Sequence, residues 1–425
     1  MRGRRRAAVG AIAALAAAGF AAGLVVALTS DRPTTLSEPT IVADDALLLG
    51  LDSERAAGAV ALARRAGADW LRVTVTPRDG PVRRAAVDRT FALAARQRLR
   101  VMLDLVPAPR ANAPEEFATF ASRIAAQYSG RAPGRPAAAA FAIGDGRQPA
   151  GAYRRLLYAA IPAIRRAAPG RTVLIGNTGS DASPLVYLRA LACAPERGAP
   201  RARGCATFAP LPGDGWAHRL GGEPATGELS RLAVLLRELR VQGRLRLPMA
   251  VHITGYRDDG AGGAYEHARR LGESEWNAAH TPGVRGFAFE PLRDRADGAG
   301  LQTAAGLPRP ALAALARTLV VRPAGPGAVA IWGHVRMQTH PERFRVTVRL
   351  LDGTWRPLPR FNRTHHTRGD GTFAVTARTA PGGQAIDPRA TFRLELRHQR
   401  RWRPAGLPIF GARSPLRPAS GSRAG

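Results

Sequence analysis

The sequence predicts an α/β protein: a (β/α)8 barrel followed by a small antiparallel β-sandwich, with one apolar helix at the N-terminus. Three observations carry that expectation. Short apolar runs of strand character alternate with helical stripes about eight times in roughly 275 residues, the rhythm of a parallel sheet wrapped in helices. Beyond about residue 323 the pattern turns to strict apolar–polar alternation broken by Asp-Gly turns. Ahead of both, Arg2, Arg4, Arg5 and Arg6 precede an uncharged run of 22 residues, Ala7 to Leu28.

The N-terminal run is long enough to cross a bilayer core of about 30 Å, and a basic start before an apolar stretch is an export signal or an anchor. No clear Ala-x-Ala cleavage site follows, so residues 1–29 read as an anchor or signal that holds the rest outside the cytoplasm, membrane-anchored or secreted. Residues 30–44 read as a polar tether. The barrel is expected over 45–322, the sandwich over 323–412, and a disordered Ser/Arg/Gly/Pro tail over 413–425.

Within the barrel, the strand candidates are LLLGLD (48–52 at its core), WLRVTVTP (70–77), RVMLDLVP (100–107), AAAFAIGD (138–145), TVLIGNTG (172–179), GWAH (215–218), MAVHIT (249–254) and VRGFAFEP (284–291). Between them, Phe117, Phe120, Ile124 and Tyr128 share a helical face, as do Tyr153, Leu156, Leu157, Ile161 and Ile164, and Leu229, Leu232, Leu235, Leu236 and Leu239. Further helices are expected near 53–67, 83–97, 183–192, 264–280 and 308–320. A doubly wound open sheet is the competing architecture, but the first strand candidate exits as GLDSERAAG, without a glycine-rich phosphate loop. The sandwich strands are read from VAIWGHVR, RFRVTVRLLDGTWRPL, GTFAVTAR and ATFRLELRHQRRW.

Composition bounds the function. At 45% hydrophobic and 22% charged residues, the 425-residue chain can bury a core, which excludes wholesale disorder and a coiled coil; a single long apolar run excludes a multi-span membrane protein. The formal charge is +31, and all 63 basic residues are Arg. Such a charge attracts a polyanion. The arginines are spread along the chain with no zinc-finger spacing or aromatic stacking motif, so no specific nucleic-acid binding is expected. Two cysteines cannot make a four-ligand zinc site; Cys193 and Cys205 flank a Pro/Arg/Gly loop and suit a loop-closing disulfide in an exported chain. His365-His366 lacks a third ligand in register, and neither metal nor cofactor is expected.

In a (β/α)8 protein the chemistry sits at the C-terminal ends of the strands. There the sequence places Asp52, Arg72, Thr76, Asp104, Asp145, Asn177, Trp216, His218, Tyr256 and Glu290. Asp104, inside a β run, needs a partner such as Arg72.

Six collinear segments, GADWLRVTVTP, AAPGRTVLIGNTGS, GDGWAHRL, LPMAVHITGY, GLQTAAGLPRPALAAL and VAIWGHVR, resemble in order and texture the retaining (β/α)8 glycoside hydrolases of clan A, the cellulase and β-xylosidase superfamily. The likeness covers roughly residues 45–410. It implies that Arg72 is the second-strand arginine that holds the active-site carboxylates. Retaining enzymes need two carboxylates about 5–5.5 Å apart. The family's fourth-strand acid/base falls on Asp145 or Gly146, and its seventh-strand nucleophile falls on Ile253, with His252 and Thr254 as neighbours. An Ile cannot attack an anomeric carbon. The resemblance therefore implies a glycoside-hydrolase-like barrel, impaired as a catalyst, that binds cell-envelope or extracellular glycans, neutral or anionic. Arg72, Asn177, Trp216, His218 and Tyr256 are its candidate sugar contacts. The alternative is an active O-glycosyl hydrolase with relocated carboxylates, Asp145 and Glu290, spaced for inversion at about 6.5–9.5 Å.

Overall fold

Short apolar runs alternating with helices form a parallel sheet, one face of which is the lumen and the other of which is covered by helices. The computed structural model describes residues 39–410 apart from 108–112, 132–135, 145–147, 179–183, 195–204, 206–208, 222–226, 258–262, 295–298, 337–340, 351, 360–364, 379–384, 388–389 and 400. The parallel segments are β1 (Thr40–Ala43), β2 (Trp70–Val75), β3 (Arg100–Leu105), β4 (Ala140–Gly144), β5 (Thr172–Thr178), β6 (Gly215–Gly221), β7 (Ala250–Arg257), β8 (Val284–Arg285) and β9 (Phe287–Phe289). They pair in the order β8-β7-β6-β5-β4-β3-β2-β1-β9. Because β8 and β9 are one run interrupted at Gly286, with β8 on β7 and β9 on β1, the sheet closes into a barrel of eight staves.

Two apolar layers hold the barrel. Ile41, Met102, Ala140, Ala142, Leu174, Ala217 and Ala288 fill the lumen. The alternate residues, among them Val42, Leu71, Val73, Leu103, Phe141 and Val251, pack against the helices. All three aliphatic and aromatic stripes read from the sequence are buried there, on the helices Pro114–Gln127, Ala150–Ala167 and Glu228–Val241.

Seven of the expected strands are present; the first is displaced. It is Thr40–Ala43, inside the stretch read as a tether, and not residues 48–52. Asp44 explains the error. Its carboxylate accepts from the Leu47 amide and starts a helical turn over Asp45–Leu48. Asp52 caps the helix Ser53–Arg65 instead of ending a strand. Leu48 and Leu49 are buried beneath helices, which gives LLLGLD its strand-like look. A second correction lies at the other boundary. The helix expected over 308–320 is Pro310–Ala316, and the β-branched run Thr318, Val320, Val321 goes into the strand Arg317–Pro323, which pairs with the antiparallel strands that follow.

That domain is a sandwich of two antiparallel sheets. One comprises β10 (Arg317–Pro323), β11 (Val329–Val335) and β15 (Thr372–Ala377); the other comprises β12 (Arg343–Arg349), β13 (Trp355–Pro357), β14 (His365–His366), β16 (Thr391–His398) and β17 (Arg401–Phe410). Leu319, Val321, Val329, Ile331, Phe344, Val346, Val348, Phe373, Phe392 and Leu394 form their shared core.

A buried polar cluster joins sandwich to barrel. Glu275, on the barrel helix Gly263–His280, is fully buried. It accepts from Thr318 Oγ1 (2.5 Å), meets His334 Nδ1 (2.7 Å) and pairs with the Arg336 guanidinium. Arg336 Nε donates to Thr40 Oγ1 (2.8 Å), and Nη1 to the Leu315 carbonyl. The Arg336 stem lies against Gly67, whose φ of +85° and missing side chain leave the room; a Cβ there would sit 2.4 Å from Arg336 Cβ. Thr40 opens β1 and Gly67 lies just before β2, so the sandwich docks at the end away from the mouth.

Among the described residues no helix is long and apolar enough to cross a membrane. The N-terminal apolar helix expected over 1–29 and the 413–425 tail lie outside the described residues. Cys193 and Cys205 form a disulfide, with Cα atoms 5.7 Å apart.

Candidate functional site at the barrel mouth

Strand alternation sends Arg72 and Thr74 of β2, and Asp104 of β3, towards the lumen, while Leu71, Val73, Leu103 and Leu105 join the helix-side core. Asp44 accepts from the backbone amides of Leu292 (3.1 Å) and Arg293 (3.2 Å), tying the start of the barrel to the exit of its last stave. Asp45 accepts from the Thr74 amide (3.0 Å) and fixes the β1–β2 corner. Glu290 follows β9, and its amide donates to the Tyr256 carbonyl (2.9 Å). These ties deliver the Glu290 carboxylate into the mouth.

There it meets two guanidinium groups. Arg72 Nη2 donates to Glu290 Oε2 (2.6 Å), while Nη1 donates to the Thr254 carbonyl (2.7 Å). Arg219 of β6 pairs with the other oxygen, Oε1. Arg72 is nearly inaccessible at 6% side-chain exposure and Arg219 is open at 40%, with Glu290 between them at 13%. Burial alone would push the Arg72 guanidinium towards neutrality; Glu290, with Asp104 and Asp45 behind it, outweighs that and holds it charged. Asp104 is pushed up to about 6 by burial, against the opposing pull of Arg72 and Arg219. The Arg72 fork goes to Glu290 and the Thr254 carbonyl, and its charge also acts on the buried Asp104.

The seventh strand also differs from the simple reading. Ile253 is fully buried in the layer between sheet and helices and does not face the mouth. The register between β6 and β7 shifts here: His218 pairs with Ile253, but Arg219 pairs with Gly255. Thr254 is the extra residue of a bulge, and its hydroxyl donates to the His218 carbonyl (3.2 Å). Past the bulge the alternation is inverted, so Gly255 faces inward. A Cβ on Gly255 would lie 2.9 Å from Glu290 Oε1 and 3.4 Å from Arg72 Nη1. The space of a seventh-strand side chain is filled by the Glu290 carboxylate.

Of the expected site residues, the structure brings Arg72 and Glu290 together. Trp216, His218 and Tyr256 are buried on the helix side of the sheet. Trp216 lies in the large core cluster, His218 Nε2 lies 3.1 Å from Glu228 Oε1, and Tyr256 packs with Phe287 and Phe289. Asn177 sits at a register shift in β5, and its side chain, like Asp145 as a whole, lies outside the described residues. Sequence reasoning missed Arg219 and Gly255. Arg219 could have been found, two residues past the inward Ala217 in GWAHRL; the inward turn of Gly255 depends on a bulge with no local signature.

The other end of the lumen holds a cavity of about 100 Å³ lined by Ile41, Trp70, Met102, Ala140, Leu174 and His252. Burial, then the charge of Arg285, lower the His252 imidazole to about 4. Its folded-state value lies below the ordinary 6.5, so this residue's contribution to stability is present above pH 6.5 and is lost as pH falls towards 4. Asp104 has the opposite sign: its folded-state value is raised, so its contribution declines between pH 3.8 and about 6. Urea unfolding between pH 4 and pH 7 is expected to show the His252 slope removed in His252→Phe and the Asp104 slope removed in Asp104→Asn. Unchanged slopes in both variants would contradict these assignments.

No family model matches the sequence, and no curated protein matches it. Solved structures do. A β-glucuronidase of Bacteroides uniformis shares 10% identity over 89% of this chain and 46% of its own, with a TM-score of 0.44. A β-glucuronidase of Parabacteroides merdae shares 8% over 87% of this chain and 48% of its own, with a TM-score of 0.46. An endo-β-1,3-glucanase of Sorangium cellulosum shares 14% over 59% of this chain and 90% of its own, with a TM-score of 0.38. The chain thus spans about half the length of the β-glucuronidases it matches. The barrel itself rests on the strand pairing described above, independently of these likenesses.

Proposed function

We propose that the chain is a glycoside-hydrolase-like barrel that binds carbohydrate at its mouth and does not cleave it. One observation carries this reading: Glu290 is engaged on both oxygens by Arg72 and Arg219 while the inward residue of the seventh strand is Gly255. A carboxylate held by two cations is a poor base and a poor nucleophile, and a retaining pair needs a second carboxylate about 5–5.5 Å away. The polar groups that converge on the mouth, Arg219, Glu290 and Asp104, suit hydroxyl and carboxylate recognition. Export by the N-terminal segment, and glycans of the cell envelope or surroundings as ligands, belong to the same proposal.

The test is a turnover screen on aryl-glycosides and polysaccharides with the wild type, Asp145→Asn and Glu290→Gln. No turnover and no covalent adduct with mechanism-based fluorosugars are expected from any of the three. Turnover by the wild type that disappears in Asp145→Asn would overturn the proposal in favour of an inverting hydrolase.

A further inference from the structure

The outer face of the second sandwich sheet carries a feature that the barrel does not use. In β12, Phe344, Val346 and Val348 face the core, so Arg343, Arg345, Thr347 and Arg349 face out; in β16, Phe392 and Leu394 face the core, so Arg393, Glu395 and Arg397 face out. The register sets these in rows: Arg349 beside Trp355, Thr347 beside Arg393, Arg345 beside Glu395, and Arg397 beside Trp402. Two tryptophans therefore stand on this face, each under a guanidinium. Arg393 lies 4.2 Å from the Trp355 ring centroid and Arg345 lies 4.7 Å from that of Trp402.

Glu395 is the single acid among these outward positions, and it is already spent. Its Oε2 accepts from Arg345 Nε (2.7 Å) and its Oε1 pairs with Arg393. Arg343, Arg349 and Arg397 have no acidic partner among the described residues. The surrounding sequence deepens the imbalance: residues 317–410 contain 17 Arg against 5 acidic residues. From Arg349 to Arg343 the face runs about 20 Å along β12, at about 3.4 Å per residue.

We infer that this sheet face is a binding surface for an acidic polysaccharide, one bearing carboxylates or sulfates on successive sugars. Guanidinium forks match carboxylate and sulfate oxygens in pairs. Arg345 and Arg393, fixed by Glu395 and stacked on the two rings, form an ordered cationic floor between the arginines that carry no acid. Nucleic acid is the other polyanion that guanidinium and indole groups can hold, and the comparison with oligothymidylate separates the two. The inference rests on the carbohydrate reading of the chain only for the ligand class; its site is separate from the mouth.

The experiment measures binding of the full chain to polygalacturonate, with a neutral β-glucan and single-stranded oligothymidylate as comparison probes, over a range of salt. Polygalacturonate is expected to bind at low salt, and the neutral glucan not to. Combined Arg343→Gln, Arg349→Gln and Arg397→Gln replacements are expected to weaken binding about tenfold or more and to reduce the slope of log affinity against log salt by about 2. These side chains lie on the surface, so an unchanged thermal melt shows that the fold is kept. Trp402→Ala is expected to weaken binding with the salt slope unchanged. Wild-type affinity in the triple variant overturns the inference. So does equal affinity for oligothymidylate, which would mark a general polyanion surface. Loss of binding in Arg219→Gln but not in the triple variant would place the ligand at the mouth, ending this inference while leaving the carbohydrate reading intact.

Discussion

Glu275→Gln is expected to lower the free energy of unfolding by about 3–5 kcal/mol, the usual cost of removing one member of a buried ion pair. The amide keeps the shape and the Thr318 contact but leaves the Arg336 guanidinium, 2% exposed, without its counter-ion. The cluster also predicts an acid limb. Burial would raise the Glu275 carboxyl, but Arg336, His334 and Thr318 together hold it at about 2. A folded-state value below the ordinary 4.5 means that this stabilisation is fully present above about pH 4.5 and is lost as pH falls towards 2. Urea titrations of the wild type between pH 2 and pH 5 should show a steep loss that is shallower in Glu275→Gln. The pair Glu275→Leu with Arg336→Met should recover much of the single-variant loss, because apolar replacement removes both desolvation costs at once. A loss below about 1 kcal/mol in Glu275→Gln would show that the sandwich does not depend on this junction.

This junction was invisible in the sequence, and the reason is general. Periodicity reports which face of an element is buried; it does not report which buried polar residues meet across domains. Glu275, Thr318, His334 and Arg336 span more than 60 positions, and each alone reads as an ordinary surface residue. The barrel was legible because its signal is local and repeated: WLRVTV, RVMLDL and AFAIG each announce a strand by composition, and the Leu229–Leu239 stripe announces the helix between β6 and β7. The first strand was not, because TIVA has only four residues, sits after a polar, Pro-containing stretch and competes with the more apolar LLLGLD. At the mouth, positions set by alternation, Arg72 and Glu290, came out where the pattern put them. Those beyond the Thr254 bulge did not, since one inserted residue exchanges the two faces of a strand. Trp216, His218 and Tyr256 lie on the helix side, a placement that residue type alone does not fix, since an aromatic ring near a strand end suits either face.

The same bulge makes the mouth a sensitive place to mutate. Glu290→Gln leaves Arg72 a buried cation with the Thr254 carbonyl as its remaining close acceptor here, and a loss of about 3 kcal/mol in unfolding free energy is expected. Arg72→Met should cost less, because Glu290 keeps the more exposed Arg219 and can turn towards water. The asymmetry is the discriminating result: a triad in which Arg72 is merely decorative would give the reverse order or no difference. Gly255→Ala probes the geometry without touching charge. Its methyl would arrive 2.9 Å from Glu290 Oε1, so the carboxylate must swing away from one guanidinium or the strand must move. Either response is expected to cost about 1–3 kcal/mol. In the Glu290→Ala background the methyl finds room, and Gly255→Ala should then be close to neutral. That non-additivity, measured as a double-mutant cycle in urea, tests whether the seventh strand's missing side chain and the eighth strand's carboxylate share one space. If Gly255→Ala costs the same in both backgrounds, its cost comes from the backbone, and Glu290 is not what fills the position.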